Sequence, residues 1–157
     1  MEVVLYSLIG LFMFGNIRKL FKLFLLVKKY PPFGNTKIRL VLKRSLVNDS
    51  VTRGSFSEGE REIRLAFINP TKSLMETYLH ERRHSEQAFG KEYTLRNMYA
   101  QSVGVLRYME SHNISEEALW DEYFQAPHEV DAREWASKVM KELQKVPFYV
   151  FFISIFL

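Results

Sequence analysis

The sequence predicts one α+β domain: a short antiparallel sheet, a long central helix packed on it, further helices behind, and an apolar helix or helices at the N-terminus. Three observations predict this. Two β-rich stretches, Lys37 to Lys43 and Glu62 to Ile68, precede a helical pattern that opens near Thr71. Helical patterns, broken by short turns, then run on to Lys145. Pro31, Pro32, Gly34 and Asn35 mark a change in composition after residue 30. At 157 residues, with 47% apolar and 25% charged side chains, the chain suits a single core. We divide it into a segment 1–30, a body 36–145 and a tail 146–157.

The N-terminal segment is apolar from Val3 to Phe14 and continues, after Gly15 and Asn16, into Ile17 to Val27, closed by Lys28 and Lys29. A secretory signal needs cations before its apolar run, and this chain starts Met1-Glu2, so none is expected. A membrane span needs about 20 apolar residues in succession, and Arg18, Lys19 and Lys22 interrupt this one. Three readings stay open: a short membrane insertion, a basic amphipathic helix on a membrane surface, or core helices of the body. The apolar tail, Val146 to Leu157, poses the same choice between a buried strand and a membrane-seeking end. If residues 1–29 and 146–157 do meet a membrane, the cations after the first segment favour its cytoplasmic face. The expected location is therefore the cytoplasm, with or without that contact.

Charge and cysteine content exclude whole classes. Lys and Arg number 22 against 18 Asp and Glu, and no basic run exists outside the N-terminal stretch, so no nucleic-acid partner is expected. The absence of cysteine removes disulfides, thiolate metal sites and cysteine nucleophiles. Any metal must be held by imidazole and carboxylate, a donor set that suits zinc.

Within the body, Lys37 to Lys43 alternates in part, Asn48 to Glu60 is turn-forming around Gly54 and Gly59, and Glu62 to Ile68 alternates well. Two or three antiparallel strands follow from this. Asn69-Pro70-Thr71 starts a helix with Thr71 able to cap, Leu74, Met75, Tyr78 and Leu79 form its apolar stripe, and Gly90 stops it. Later helices are expected over Tyr93 to Glu110, Glu116 to Phe124 and Pro127 to Lys145, where Pro127 fits a first-turn position.

The chemistry concentrates in His80-Glu81-Arg82-Arg83-His84, inside the central helix. Helical residues four apart differ by roughly 40°, so both imidazoles leave the same face one turn apart and can reach one ion. Glu81, beside the first ligand, can take a proton from the attacking water without itself binding metal. Shuffling the chain's own histidines and glutamates yields this pattern about one time in a hundred, which makes it moderately specific. A hydrolytic zinc needs a third ligand and an open position, and the stretch Tyr123 to Ala136, with Glu129 in the first turn of its helix, is the best supplier.

With those residues in view, the chain resembles the zincin superfamily of metallopeptidases, in its gluzincin-like branch and its small phage and bacterial forms. The likeness covers about residues 62 to 140. It implies a minimal zincin-like core, Zn2+ held by His80, His84 and Glu129, and peptide hydrolysis with Glu81 as general base. Glu129-Val-Asp-Ala132-Arg133 follows the branch's Glu-x-x-Ala-Asp pattern except at its end, where arginine replaces aspartate. Asp131 is the alternative, either as ligand or as the supporting carboxylate; it points about 200° away from Glu129, so only one of the two can face the metal. Zincins also favour uncharged residues where this chain has Arg82 and Arg83, and Arg82 is expected to meet solvent or an acidic partner. Tyr123, His128, Arg133 and His112 are candidates to stabilise an oxyanion, Tyr123 and His128 foremost. The resemblance further implies that Glu62 to Ile68 presents its edge to a peptide or protein substrate. Two other functions remain: a zinc-binding regulatory module without catalysis, and a membrane-associated interaction protein whose motif is accidental.

Overall fold

The computed structural model describes residues 2–41 and 53–145, the side chains of 2–14 excepted. The tail 146–157, the apolar side chains of Val3 to Phe14 and the segment 42–52 lie outside the described residues. Among those described, five helices surround a three-stranded sheet, in the order α1 (Glu2–Lys29), β1 (Lys37–Val41), β2 (Gly54–Ser57), β3 (Glu62–Ala66), α2 (Thr71–Phe89), α3 (Tyr93–Ser111), α4 (Glu116–Gln125) and α5 (Pro127–Lys145). The α+β class and the helix bounds are as expected from periodicity.

The sheet departs from expectation. Its order is β1-β3-β2, with β3 antiparallel to β2 but parallel to β1. The sheet is mixed because the connection from β1 to β3 is long enough, with β2 inside it, to return the chain before β3 enters beside β1. β2 itself lies in a stretch whose composition reads as turn. Gly54 belongs there for a steric reason: a Cβ at this position would fall 2.5 Å from the Thr77 methyl on α2 and 2.9 Å from the Arg64 carbonyl oxygen. Its absence lets β2 press against both β3 and α2. β3 is the internal strand and β2 an outer one.

One core joins α1, β3, α2 and α5 through Leu23, Leu26, Ile63, Leu65, Leu74, Tyr78, Leu79, Ala136, Val139 and Met140. Full burial of a large apolar side chain here contributes about 1.5–3 kcal/mol. The second half of α1 is thus core helix, and Lys19 Nζ ties it down by donating to the carbonyls of Phe67 and Asn69 at 3.0 Å each. Among the described residues no helix is long and apolar enough to cross a membrane. The opposite face of α1 exposes Ile17, Leu20, Phe21 and Phe24.

α2 begins differently from expectation: Pro70 holds the cap position and Thr71 is the first helical residue, with no side-chain cap. Its N-terminal hydrogen bonding starts from the Pro70 carbonyl, which accepts from Leu74 at 2.9 Å. Of the two alternatives expected for Arg82, solvent or an acidic partner, the structure gives the second, with the residue only 7% exposed. Its guanidinium stacks between Phe33 at 4.6 Å and Trp135 at 4.7 Å, with Glu86 as its ion-pair partner. Flanking aromatic faces and a paired charge make a buried arginine tolerable. Arg82 therefore joins the turn after α1 to α2 and α5.

Candidate metal centre

Helix α2 puts His80, His84 and Gln87 on one face, at the i, i+4, i+7 spacing that stacks side chains along a helix. Across from it, α5 buries Glu129, Ala132 and Ala136. The two alanines are small enough for α5 to approach α2 closely, and Glu129, one turn before Ala132, reaches the imidazoles. The three groups converge. His80 Nε2 and His84 Nε2 lie 3.1 Å apart, His84 Nε2 is 3.0 Å from Glu129 Oε1, and His80 Nε2 is 3.2 Å from Glu129 Oε2. Donors bound tetrahedrally at zinc distances of 2.0–2.1 Å are separated by about 3.3 Å. The spacings here are of that order, with His84 meeting one Glu129 oxygen and His80 the other, and His80, His84 and Glu129 could hold a metal ion.

Charge leads to the same conclusion. Burial raises the Glu129 pKa, but hydrogen bonds from His80 and His84 outweigh it and hold this carboxyl well below the usual carboxylate range. Burial likewise disfavours a charged His84, yet the Glu129 carboxylate overrides it and raises the pKa of that imidazole. An ionised carboxylate with a side chain only 4% exposed needs a cation beside it. His80 is the ring that keeps contact with solvent, at 20% side-chain exposure.

Glu81 is buried next to this cluster and accepts a hydrogen bond from the Phe56 backbone on β2. Burial pushes its carboxyl above the ordinary range, while His80 and His84 pull it back. The strand that borders Glu81 is therefore β2, and not β3 as the order of elements suggested.

The remaining candidates separate clearly. Asp131 does not face the imidazoles: Arg83 grips it through Nε at 2.7 Å and Nη2 at 3.0 Å, and Gln87 Nε2 donates to it at 2.8 Å. Burial opposes these bonds, yet they hold the Asp131 carboxyl below its usual range. Tyr123 is at the site, its hydroxyl hydrogen-bonded to Glu129; burial first and Glu129 second raise its pKa. His128 is buried with its ring 5.5 Å from that of His84 and Nε2 3.8 Å from Glu129 Oε1, while its Nδ1 has no partner among the described residues. Burial and the neighbouring His84 lower its pKa to about 4. Arg133 brings Nη1 within 3.8 Å of Glu129 and donates to the Phe124 carbonyl, so it joins α4 to α5 beside the site. His112 is elsewhere, exposed at the C-terminal cap of α3 and stacked on Tyr108.

Three contributors escaped sequence reasoning. Tyr99 on α3 packs 5.6 Å from the His128 ring, and burial raises its pKa to about 12. Phe56 offers only a backbone group, which no motif encodes. Gln87 stands three residues past His84, a spacing that places it on the ligand face and could have been weighed. Comparison with known proteins yields no match: no family model fits the chain, and no curated protein or solved structure is significantly similar to it.

Proposed function

We propose that this protein is a zinc-dependent peptidase of the H-E-x-x-H type, with His80, His84 and Glu129 as ligands and Glu81 as general base. The reading rests on one observation, the convergence of two imidazole nitrogens and one carboxylate at mutual distances of 3.0–3.2 Å. Zinc bound there would act as a Lewis acid on a peptide carbonyl and lower the pKa of the attacking water. Glu81 takes the proton and returns it to the leaving amine; its burial, which raises its pKa, suits a base working near neutrality. Tyr123, whose hydroxyl serves Glu129, and His128, whose ring packs on His84, are the groups beside the ligands that could meet an oxyanion. The peptide would lie along β2, whose outer edge borders Glu81.

Elemental analysis of the purified chain beside His80→Ala and Glu129→Ala tests the metal. One equivalent of zinc is expected in the parent and little in either variant. Glu81→Gln should keep zinc and lose cleavage of a peptide library; cleavage at the parent rate would remove Glu81 from the mechanism. Zinc at one equivalent with no cleavage of any peptide would assign the non-catalytic module instead.

A membrane-surface reading, at the cytoplasmic face, has its own support. Ile17, Leu20, Phe21 and Phe24 recur at helical spacing on the exposed side of α1, downstream of twelve mostly apolar residues. Flotation with anionic vesicles tests it, comparing the intact chain with Ile17→Glu/Phe24→Glu. Removing residues 1–30 would be uninformative, since Leu23 and Leu26 belong to the core. Equal flotation of parent and variant would exclude this face.

A further inference from the structure

We infer that Gln87, oriented by Asp131 and the Arg83 that grips it, sets the tautomer of His84 and so keeps its Nε2 lone pair aimed at the metal position. The inference rests on the metal reading but not on catalysis. An amide side chain is ambiguous by itself, because it can offer either its oxygen or its NH2 to a ring nitrogen. Here the ambiguity is removed by chemistry. Gln87 Nε2 lies 2.9 Å from the His128 carbonyl oxygen and 2.8 Å from Asp131 Oδ2, and neither oxygen can donate when Asp131 is ionised. The NH2 end of the amide must point to them. Its Oε1 then faces His84 Nδ1 at 2.8 Å, and Nδ1 must carry the proton. Nε2 is then the nitrogen turned to the metal position, where a hydrogen on it is shared with Glu129 Oε1 at 3.0 Å until a metal replaces it.

Were the amide reversed, NH2 would face Nδ1 and Nδ1 would become the acceptor. Binding a metal through Nε2 would then strip the ring of its only hydrogen. Arg83 prevents reversal by clamping Asp131 through two hydrogen bonds, and Glu86 accepts from Arg83 in turn at 2.9 Å. Support for the ligand thus runs from Asp131 through an amide on the ligand's own helix. Arg133, which occupies the position where the resemblance leads one to expect an aspartate, takes no part in it. Gln87, Asp131 and Arg83 are positioning residues in this scheme. Outer groups that orient a metal-binding imidazole are generally worth 10–100-fold in affinity.

The decisive measurement is long-range proton–nitrogen NMR of histidine-labelled protein, both freed of metal by chelator and loaded with zinc. His84 Nδ1 is expected to carry a hydrogen in both. Gln87→Leu should mix the two tautomers and weaken zinc binding about 10–100-fold in chelator competition. Asp131→Leu should do the same, whereas Asp131→Asn, which keeps an acceptor oxygen, should restore most of both. Asp131 is partly exposed, so its variants remain informative should Gln87→Leu not fold. A parent His84 whose Nδ1 carries no hydrogen would overturn the inference, as would zinc affinity unchanged in both leucine variants. If the tautomer is as stated but the parent binds no zinc, the metal reading fails and the orientation of His84 stands.

Discussion

The α2–α5 pair and the α3–α4 pair are built on opposite principles, although both border the candidate metal centre. α2 buries eight residues, and five of them, Glu81, Arg82, His84, Ser85 and Gln87, are polar or charged. α3 buries only Leu95 and Ser102, and α4 buries none. Buried polar groups are costly unless each finds a partner, so on α2 the hydrogen bonds and the apolar packing must be satisfied together. α3 and α4 bring Tyr99 and Tyr123 to the site on elements held by little buried surface. The difference teaches that the geometry of the candidate metal centre depends on a well-buried helix pair, while its cover comes from helices with few buried residues.

The largest expected contrast comes from truncating one apolar side chain on each side. Leu79→Ala, in the shared core, should lose about 2–5 kcal/mol in urea denaturation, and Val105→Ala, exposed on α3, less than about 0.5 kcal/mol. Equal losses would erase the distinction. A second effect belongs to His128, where the pairs meet. Its folded imidazole titrates near 4 because of burial and then His84, against 6.5 in the unfolded chain. Between those values the unfolded chain binds the extra proton. The stabilising contribution is thus full above about 6.5 and is lost as pH falls toward 4, on the order of 3 kcal/mol. Denaturation of chelator-treated His128→Asn should accordingly be flatter than the parent over that range; identical slopes would contradict the assignment. A smaller effect than that of His128 belongs to Ser115→Ala, which removes the hydroxyl that accepts from the Ala118 amide at the start of α4. A loss of about 1 kcal/mol is expected, read as faster hydrogen exchange in α4 with α2 and α5 unchanged. Faster exchange throughout would mean that the two halves unfold as one.

Much of this was legible in the residues and some was not, for definite reasons. Helix spans could be read because period 3.6, Pro127 and Gly90 act locally. β2 could not: Gly54-Ser-Phe-Ser has turn composition, and it becomes a strand only by pairing with β3 and lying on α2. The parallel placement of β1 was hidden for the same reason, since strand order is decided by long-range pairing. Arg82 looked like a surface charge until Phe33 and Trp135, 49 and 53 residues away, closed around it.

By itself the order of residues determined that no thiolate could serve, that His80 and His84 share a helix face, and that Glu129 and Asp131 could not both turn toward them. Those are consequences of side-chain chemistry and of 100° per residue, and they need no partner element. Which carboxylate turned inward, which strand met Glu81 and which way the Gln87 amide pointed were decided only when α5 and β2 came against α2. Each of those outcomes depends on contacts between residues distant in the chain, and local periodicity carries no information about them.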